Sequence, residues 1–384
     1  MIRRADELAR ESGPVVFERV DVVRVAIPMH EPFRISSGAV SEKEALLVKV
    51  TAGEAFGWGE SSAMAGGFYS TETPDSCQEE LIGQVLPLVA GRRFASMAEL
   101  EECLKASGAG PFVRVAVETA AWELLARERG VSLRKLFGIA DRPVPCGLAV
   151  GLYDTEEGLR AALGRYGARD YRRVKIKIQP GADLRPVRLA RQWLGDLPLF
   201  VDANAAYSRD DFAVFRELDA SGLMMFEQPL AKYDLEGSAA LQSAVRTPVC
   251  LDESITSAEA ARHAIQLGAC RIVNIKLQRL GGFLEALRVV ETCGAHGVPV
   301  WMGTMPELGI GSAQGLVLAA HPGFTYPTDV EPSDRWYKDD ILEPELTMAG
   351  GEITLPEGPG LGFTVREDKV DRYAVSRWRF PQGV

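Results

Sequence analysis

Cysteine and histidine are scarce in this sequence, with six and four residues among 384. The cysteines (Cys77, Cys103, Cys146, Cys250, Cys270 and Cys293) are scattered and never form a CxxC pair. They fit reduced core thiols in a cytoplasmic protein better than a disulfide framework. His30, His263, His296 and His321 show no metal-ligand spacing and no HExxH, so they read as structural. No stretch approaches the roughly 20 apolar residues of a membrane span. The opening MIRRADELARESG lacks the apolar core of a secretory leader. Basic residues are in deficit, 43 against 53 acidic, for a net charge of -10. Phosphate binding wants a basic face, so a nucleic-acid partner is disfavoured. No GxGxxG follows an early strand, which weighs against an open doubly wound sheet. GWGES does not match the GxSxG of a nucleophilic serine.

What is present divides the chain in character near Arg142. Before it, Glu18 to Ile27, Ala45 to Val50 and Gly53 to Glu60 read as strands, the last two joined at Ala52-Gly53. Helical patterning follows, with Val113, Val117, Ala120 and Leu124 on one face and Gly130 as the stop. Strands followed by helices suggest an α+β domain over residues 1–141. From Arg142, apolar runs alternate with helical stretches: PVPCGLAV, RRVKIKI, LPLFVDAN, GLMMFEQ, PVCLDES, CRIVNIKL and PVWMGT. Such runs signal parallel strands buried on both faces. They predict a (β/α)7β TIM-like barrel over 142–342, with 343–384 packing back on the first domain.

Buried strands should be apolar, so the charges inside them need a reason. Lys177, Asp202, Glu227, Asp252 and Lys276 recur at intervals of 25, 25, 25 and 24 (202 − 177, 227 − 202, 252 − 227, 276 − 252). One β/α unit of a barrel takes about that length, which places the five at equivalent positions on successive strands, facing the C-terminal mouth. Three neighbouring carboxylates would repel one another without a cation. All-oxygen ligation favours Mg2+, with Mn2+ also possible, held by Asp202, Glu227 and Asp252. The lysines lie four strands apart and so face each other across the ring. Lys175 shares a face with Lys177 and should lower its pKa, as a general base requires. Glu253 points away from Asp252 by the same alternation.

These motifs together, KxK (Lys175, Lys177), DAN (Asp202, Asn204), EQP (Glu227, Gln228, Pro229), DES (Asp252, Glu253) and KxxRxGG (Lys276, Arg279, Gly281, Gly282), resemble the muconate-lactonizing branch of the enolase superfamily. FYSTE, VNIKLQRLGG, ELGIG and SDRWY resemble its o-succinylbenzoate synthase and N-succinylamino acid racemase subfamily. WMGTMPELG departs from the GGM that relatives often carry, in a segment lining the substrate end of the pocket.

The resemblance implies magnesium-dependent removal of the proton α to a carboxylate through an enediolate, with Lys177 and Lys276 acting from opposite faces and Lys175 in support. Asn204, Glu253 and Arg279 are implied as supporting residues around the metal. The leading implied reaction is dehydration of a cyclohexadiene carboxylate to o-succinylbenzoate, a menaquinone precursor step. Racemisation of N-acylated amino acids comes next, then dipeptide epimerisation or muconate cycloisomerisation. Dipeptides would want a DxD motif, for which TDVEP offers only Asp329. From other classes, a Schiff-base lysine aldolase or an inactive binding barrel would share the lysines or the fold. The Phe33 to Ala39 and Gly66 to Thr71 loops are the expected lids, with Phe68 and Tyr69 covering the pocket. Gly281-Gly282 is either a tight turn or a pair of amides for a second substrate carboxylate. A small carboxylate substrate and a homo-oligomer are the expected partners.

Overall fold

In a computed structural model, the described residues are 3–67 and 69–381. The N-terminal part is an antiparallel sheet of Arg19–Ile35 (β1), Gly38–Ala52 (β2) and Ala55–Ser61 (β3), with the C-terminal strand Ala374–Phe380 on the far edge of β1. The first hairpin is much longer than the alternating pattern suggests. Its register slips between Pro28 and Phe33, then resumes to the turn before Gly38. The expected Phe33–Ala39 loop is therefore the tip of a β-arm, and Pro28 together with the register slip hid it from the periodicity.

Pro111–Glu128 (α1) crosses this sheet, and Gly130 follows it at φ +62, a conformation that suits glycine. The helix is buried all round from Val115 to Ala126, not on one face. The reason lies in β3. A Cβ on Gly57 would stand 2.1 Å from the Ala120 carbonyl oxygen, and one on Gly59 1.8 Å from that of Ala116. Two glycines let the helix backbone rest directly on the strand, while its other face meets the second domain.

That domain is a parallel sheet in the order Leu148–Val150 (β4), Val174–Lys177 (β5), Leu199–Asp202 (β6), Phe226–Glu227 (β7), Val249–Leu251 (β8), Ile272–Ile275 (β9) and Val300–Met302 (β10). Helices connect the strands, among them Phe283–Ala295 (α2) between β9 and β10; Gly309–Ala319 (α3) follows β10. The segment 324–330 closes the ring. Its Thr325 and Asp329 amides donate to Val300 and Met302, and its Thr328 carbonyl accepts from Gly147 beside β4. An open sheet is thereby excluded, and the architecture is the TIM-like barrel with an α+β capping domain. Below the mouth the interior is filled by Phe200, Met225, Cys250, Ile272 and Trp301.

Candidate active site

Strand register sets the height of each charged side chain. Lys177 pairs with Asp202, and Asp202 with Glu227, straight across the ladder. Glu227 then pairs with Cys250, two residues short of Asp252 (252 − 250 = 2). Cys250 pairs with Ile272, four short of Lys276 (276 − 272 = 4). Even offsets keep all five on the inward face, since side chains alternate with period two. The equivalence inferred from equal sequence spacing is thus corrected: the residues share a face but climb the ladder. Strands in a closed barrel are tilted, and a shear of eight over eight strands lifts the level about one residue per strand. Four residues over the four steps from β5 to β9 match that.

The lysines reach one small cavity of about 20 Å3, lined by Lys175, Lys177 and Lys276 from the barrel and by Phe33, Ile35, Met64 and Tyr69 from the capping domain. Lys177 Nζ donates to Asp202 Oδ2 at 2.6 Å and to Asn204 Oδ1 at 2.7 Å. Asn204 in turn donates from Nδ2 to Glu253 Oε1 at 3.0 Å. Glu253 thus reaches the Lys177 side, and burial beside Asp252 pushes it up to about 7. Asn204, Ala205 and Gln228 all hold positive φ, a concentration of backbone strain at the strand ends. Across the cavity, Lys276 Nζ donates to Asp252 Oδ2 at 2.8 Å and to the Tyr69 hydroxyl at 2.9 Å. Arg279 clasps the other oxygen of Asp252 and the carbonyls of Ile255 and Asn274. Phe68 lies outside the described residues.

Lys175 differs from expectation. It donates to Asp329 and to Glu227 Oε2 at 3.2 Å, and stands 3.3 Å from Asp202 Oδ2. Burial opposes its charge, but these carboxylates outweigh burial and hold the ammonium above its ordinary range. It is a compensated charge, paired with three carboxylates. Asp329 was missed as a site residue. The unit spacing continued past Lys276 would have found it, through Met302 (302 − 276 = 26) to Asp329 (329 − 302 = 27). Asp329 is committed to Lys175 and Arg173, and Glu331 to the Ala149 amide and Arg335, so TDVEP offers no free carboxylate pair for a dipeptide ammonium.

Residues 18–138 match the family described as mandelate racemase / muconate lactonizing enzyme, N-terminal domain, and residues 156–369 the enolase C-terminal domain-like family. The chain belongs to the enolase superfamily. It is 41% identical to an N-succinylamino acid racemase of Amycolatopsis sp, over 93% of this chain and 97% of that one. It is 39% identical to an o-succinylbenzoate synthase of Geobacillus kaustophilus, over 93% and 95%. A solved enolase superfamily structure from Listeria innocua superposes with a TM-score of 0.89 at 33% identity, covering 95% of this chain and 99% of that one.

Enolase superfamily members use Mg2+, and the donor set here suits it: three carboxylates, Asp202, Glu227 and Asp252, on one inward face of adjoining strands. Among the described residues no three acidic, histidine or cysteine side chains stand close enough to share a metal ion. Ammonium groups take the places between them instead. Lys175 sits between Glu227 and Asp202, and Lys276 and Arg279 draw Asp252 aside. Even so, burial and the neighbouring Asp202 charge push Glu227 well above the usual carboxylate range. A row of buried acids that needs cations to this extent fits a divalent ion.

The amides after Gly282 do hold a carboxylate, but it is the chain's own. Glu118 of α1 accepts from Phe283 N at 3.0 Å and Leu284 N at 3.1 Å. Gly282 is required, because a Cβ there would stand 2.5 Å from Glu118 Oε2. A substrate carboxylate has no place on those amides.

Proposed function

We infer that this chain removes the proton α to a substrate carboxylate, with Lys177 and Lys276 carrying the proton and Asp202, Glu227 and Asp252 holding Mg2+ or, alternatively, Mn2+. The observation supporting this is the approach of two ammonium-bearing side chains to one cavity from β5 and from the end of β9, with the carboxylate row between them. When bound, the divalent ion would offset the negative charge that grows on the substrate carboxylate as the proton leaves. The lysine that abstracts the proton must be neutral at that moment. Asn204, itself held by Glu253, fixes Lys177 Nζ; Arg279 and Tyr69 fix the Lys276 side. The capping residues Phe33 and Tyr69 exclude water.

The leading reaction is dehydration to o-succinylbenzoate, the activity named for the Geobacillus relative. In a syn dehydration one lysine takes the α-proton and returns a proton to the departing hydroxyl, while the other serves as a fixed positive charge. Racemisation of N-succinylamino acids, named for the Amycolatopsis relative, is the second reading. It is favoured by the opposed lysines, one to take the proton and one to deliver it to the other face.

The test is kcat/KM on the cyclohexadiene carboxylate and on N-succinylamino acids, together with Mg2+-dependent exchange of the α-proton in deuterated water. Activity abolished by EDTA and restored by Mg2+ is expected. Activity that survives EDTA, with borohydride trapping of a carbonyl substrate on a lysine, would replace this reading with a Schiff-base one. Absence of exchange with any of these substrates would leave a binding barrel.

A further inference from the structure

Arg173, Lys175 and Lys177 alternate along the chain, the first just ahead of β5 and the other two on it, and all three are buried inside the barrel. Lys177 holds Asp202 at the mouth, while Arg173 lies deepest, 4.8 Å from the Phe200 ring centre and 5.2 Å from that of Trp301. Lys175 stands between them. Of its three carboxylate partners, Glu227 and Asp202 are candidate Mg2+ ligands and Asp329 is not. Asp329 is also the nearest, accepting from Lys175 through Oδ2 inside the 3.2 and 3.3 Å of the other two. Asp329 is fixed in place. Its backbone amide donates to Met302 O at 2.9 Å, and its Oδ1 lies 2.5 Å from Arg173 Nη2. Arg173 is held in turn by the Pro327 carbonyl at 3.1 Å, and Gly147 makes room for it, since a Cβ there would stand 2.2 Å from Arg173 Nε. Burial works against the Asp329 charge, but Arg173 and Lys175 outweigh it and hold the carboxyl at about 2.

An ammonium that bridges Glu227 and Asp202 occupies oxygens that a divalent ion needs, and two cations so close together repel. Lys175 must therefore give up that bridge when Mg2+ is held. A buried ammonium stripped of its partners is costly. Asp329 removes that cost, because it already pairs with Lys175 and lies outside the ligand set. We propose that Asp329, braced by Arg173, is a positioning residue for the metal site, retaining Lys175 as Mg2+ takes over Asp202 and Glu227. The inference rests on the metal reading above and adds to it a residue that touches neither the ion nor the substrate and yet sets how tightly the ion is held.

The test is the Mg2+ dissociation constant of the full chain, measured by calorimetry without substrate, so that the readout is independent of activity. Asp329→Asn is expected to weaken Mg2+ binding about 10- to 100-fold, because Lys175 then has only Glu227 and Asp202 to pair with. Lys175→Met, which leaves the Arg173–Asp329 pair intact, is expected to bind Mg2+ at least as tightly as the wild type. In the Lys175→Met background, Asp329→Asn is expected to change the affinity by less than about 3-fold, since no ammonium remains to be retained. That dependence on Lys175 separates positioning from a general loss of structure. If Asp329→Asn alone fails to fold, Arg173→Met combined with it removes the buried ion pair as a whole and takes its place in the comparison. Equal Mg2+ affinity with and without the Asp329 carboxylate, the same loss in both Lys175 backgrounds, or weaker binding in Lys175→Met overturns the role of Asp329 and leaves the metal reading standing. No Mg2+ binding by the wild type overturns both.

Discussion

Glu118 and Glu227 are both buried carboxylates, and they are satisfied in opposite ways. Glu118 lies in the seam between capping domain and barrel, and its partners are two backbone amides at the start of α2 and the Trp122 indole N–H. Glu60 does the same for α3, accepting from Leu308 N at 2.7 Å and Gly311 N at 2.8 Å. Glu227 lies at the barrel mouth, where its partners are Asn274 Nδ2 at 2.6 Å and the Lys175 ammonium. A helix N-terminus is a fixed partial charge that cannot turn away. An ammonium on four methylenes can. Seam carboxylates are therefore held by fixed backbone dipoles, whereas mouth carboxylates are held by side-chain cations, which a divalent ion could replace. Burial alone does not separate the two acids; the kind of partner does.

The strongest way to break this contrast is at the lysines. Lys177→Ala and Lys276→Ala should each lower α-proton exchange by about 10²- to 10⁴-fold, the usual worth of a positioned general base. Because they face opposite sides, each should suppress exchange of one enantiomer of an N-succinylamino acid more than the other. Equal loss on both enantiomers would show that the lysines act as one group. Circular dichroism in Mg2+ should find both variants folded.

Metal addition sharpens the same contrast by a smaller amount. Saturating Mg2+ at about 100 times its dissociation constant adds about 2.7 kcal/mol to the folded state. Thermal melting should show the gain in the wild type and its loss in Glu227→Gln, while Glu118→Gln keeps it. A gain that survives in Glu227→Gln would move the metal elsewhere.

How far this arrangement could be read from the sequence follows from the same contrast. Lys177, Asp202, Glu227, Asp252 and Lys276 stood out because charge inside an apolar strand is costly and so calls for a reason. Their shared face followed from strand alternation. Their climb along the ladder did not, since barrel shear is a property of ring closure and leaves no mark on local spacing. Glu118 was invisible for a related reason: it sits in a helix read as amphipathic, and its partners lie 165 residues away in sequence. The Asp329 clasp on Lys175 is likewise a product of segments brought together by the closed ring.

The seam supplies the smallest and most specific effect. Glu118→Gln replaces one acceptor oxygen by an amide NH2 facing helix N–H groups, and should cost about 1–3 kcal/mol. The activity of the folded protein should stay within a few-fold of wild type, because Glu118 does not line the cavity. Burial pushes the Glu118 carboxyl up to about 7, against its hydrogen bonds to Phe283, Leu284 and Trp122, with the like charge of Glu101 adding to the rise. A carboxyl raised above its unfolded value of about 4.3 binds its proton more tightly in the folded state. Its contribution to stability is fully present below that unfolded value and is lost as pH rises through about 7. The glutamine cannot titrate. The difference in melting temperature between wild type and Glu118→Gln should therefore narrow from pH 5 to pH 8, while the other raised carboxyls, shared by both proteins, cancel. A difference that widens over that range would mean that the helix amides hold Glu118 ionised, and that the seam tolerates charge as readily as the mouth does.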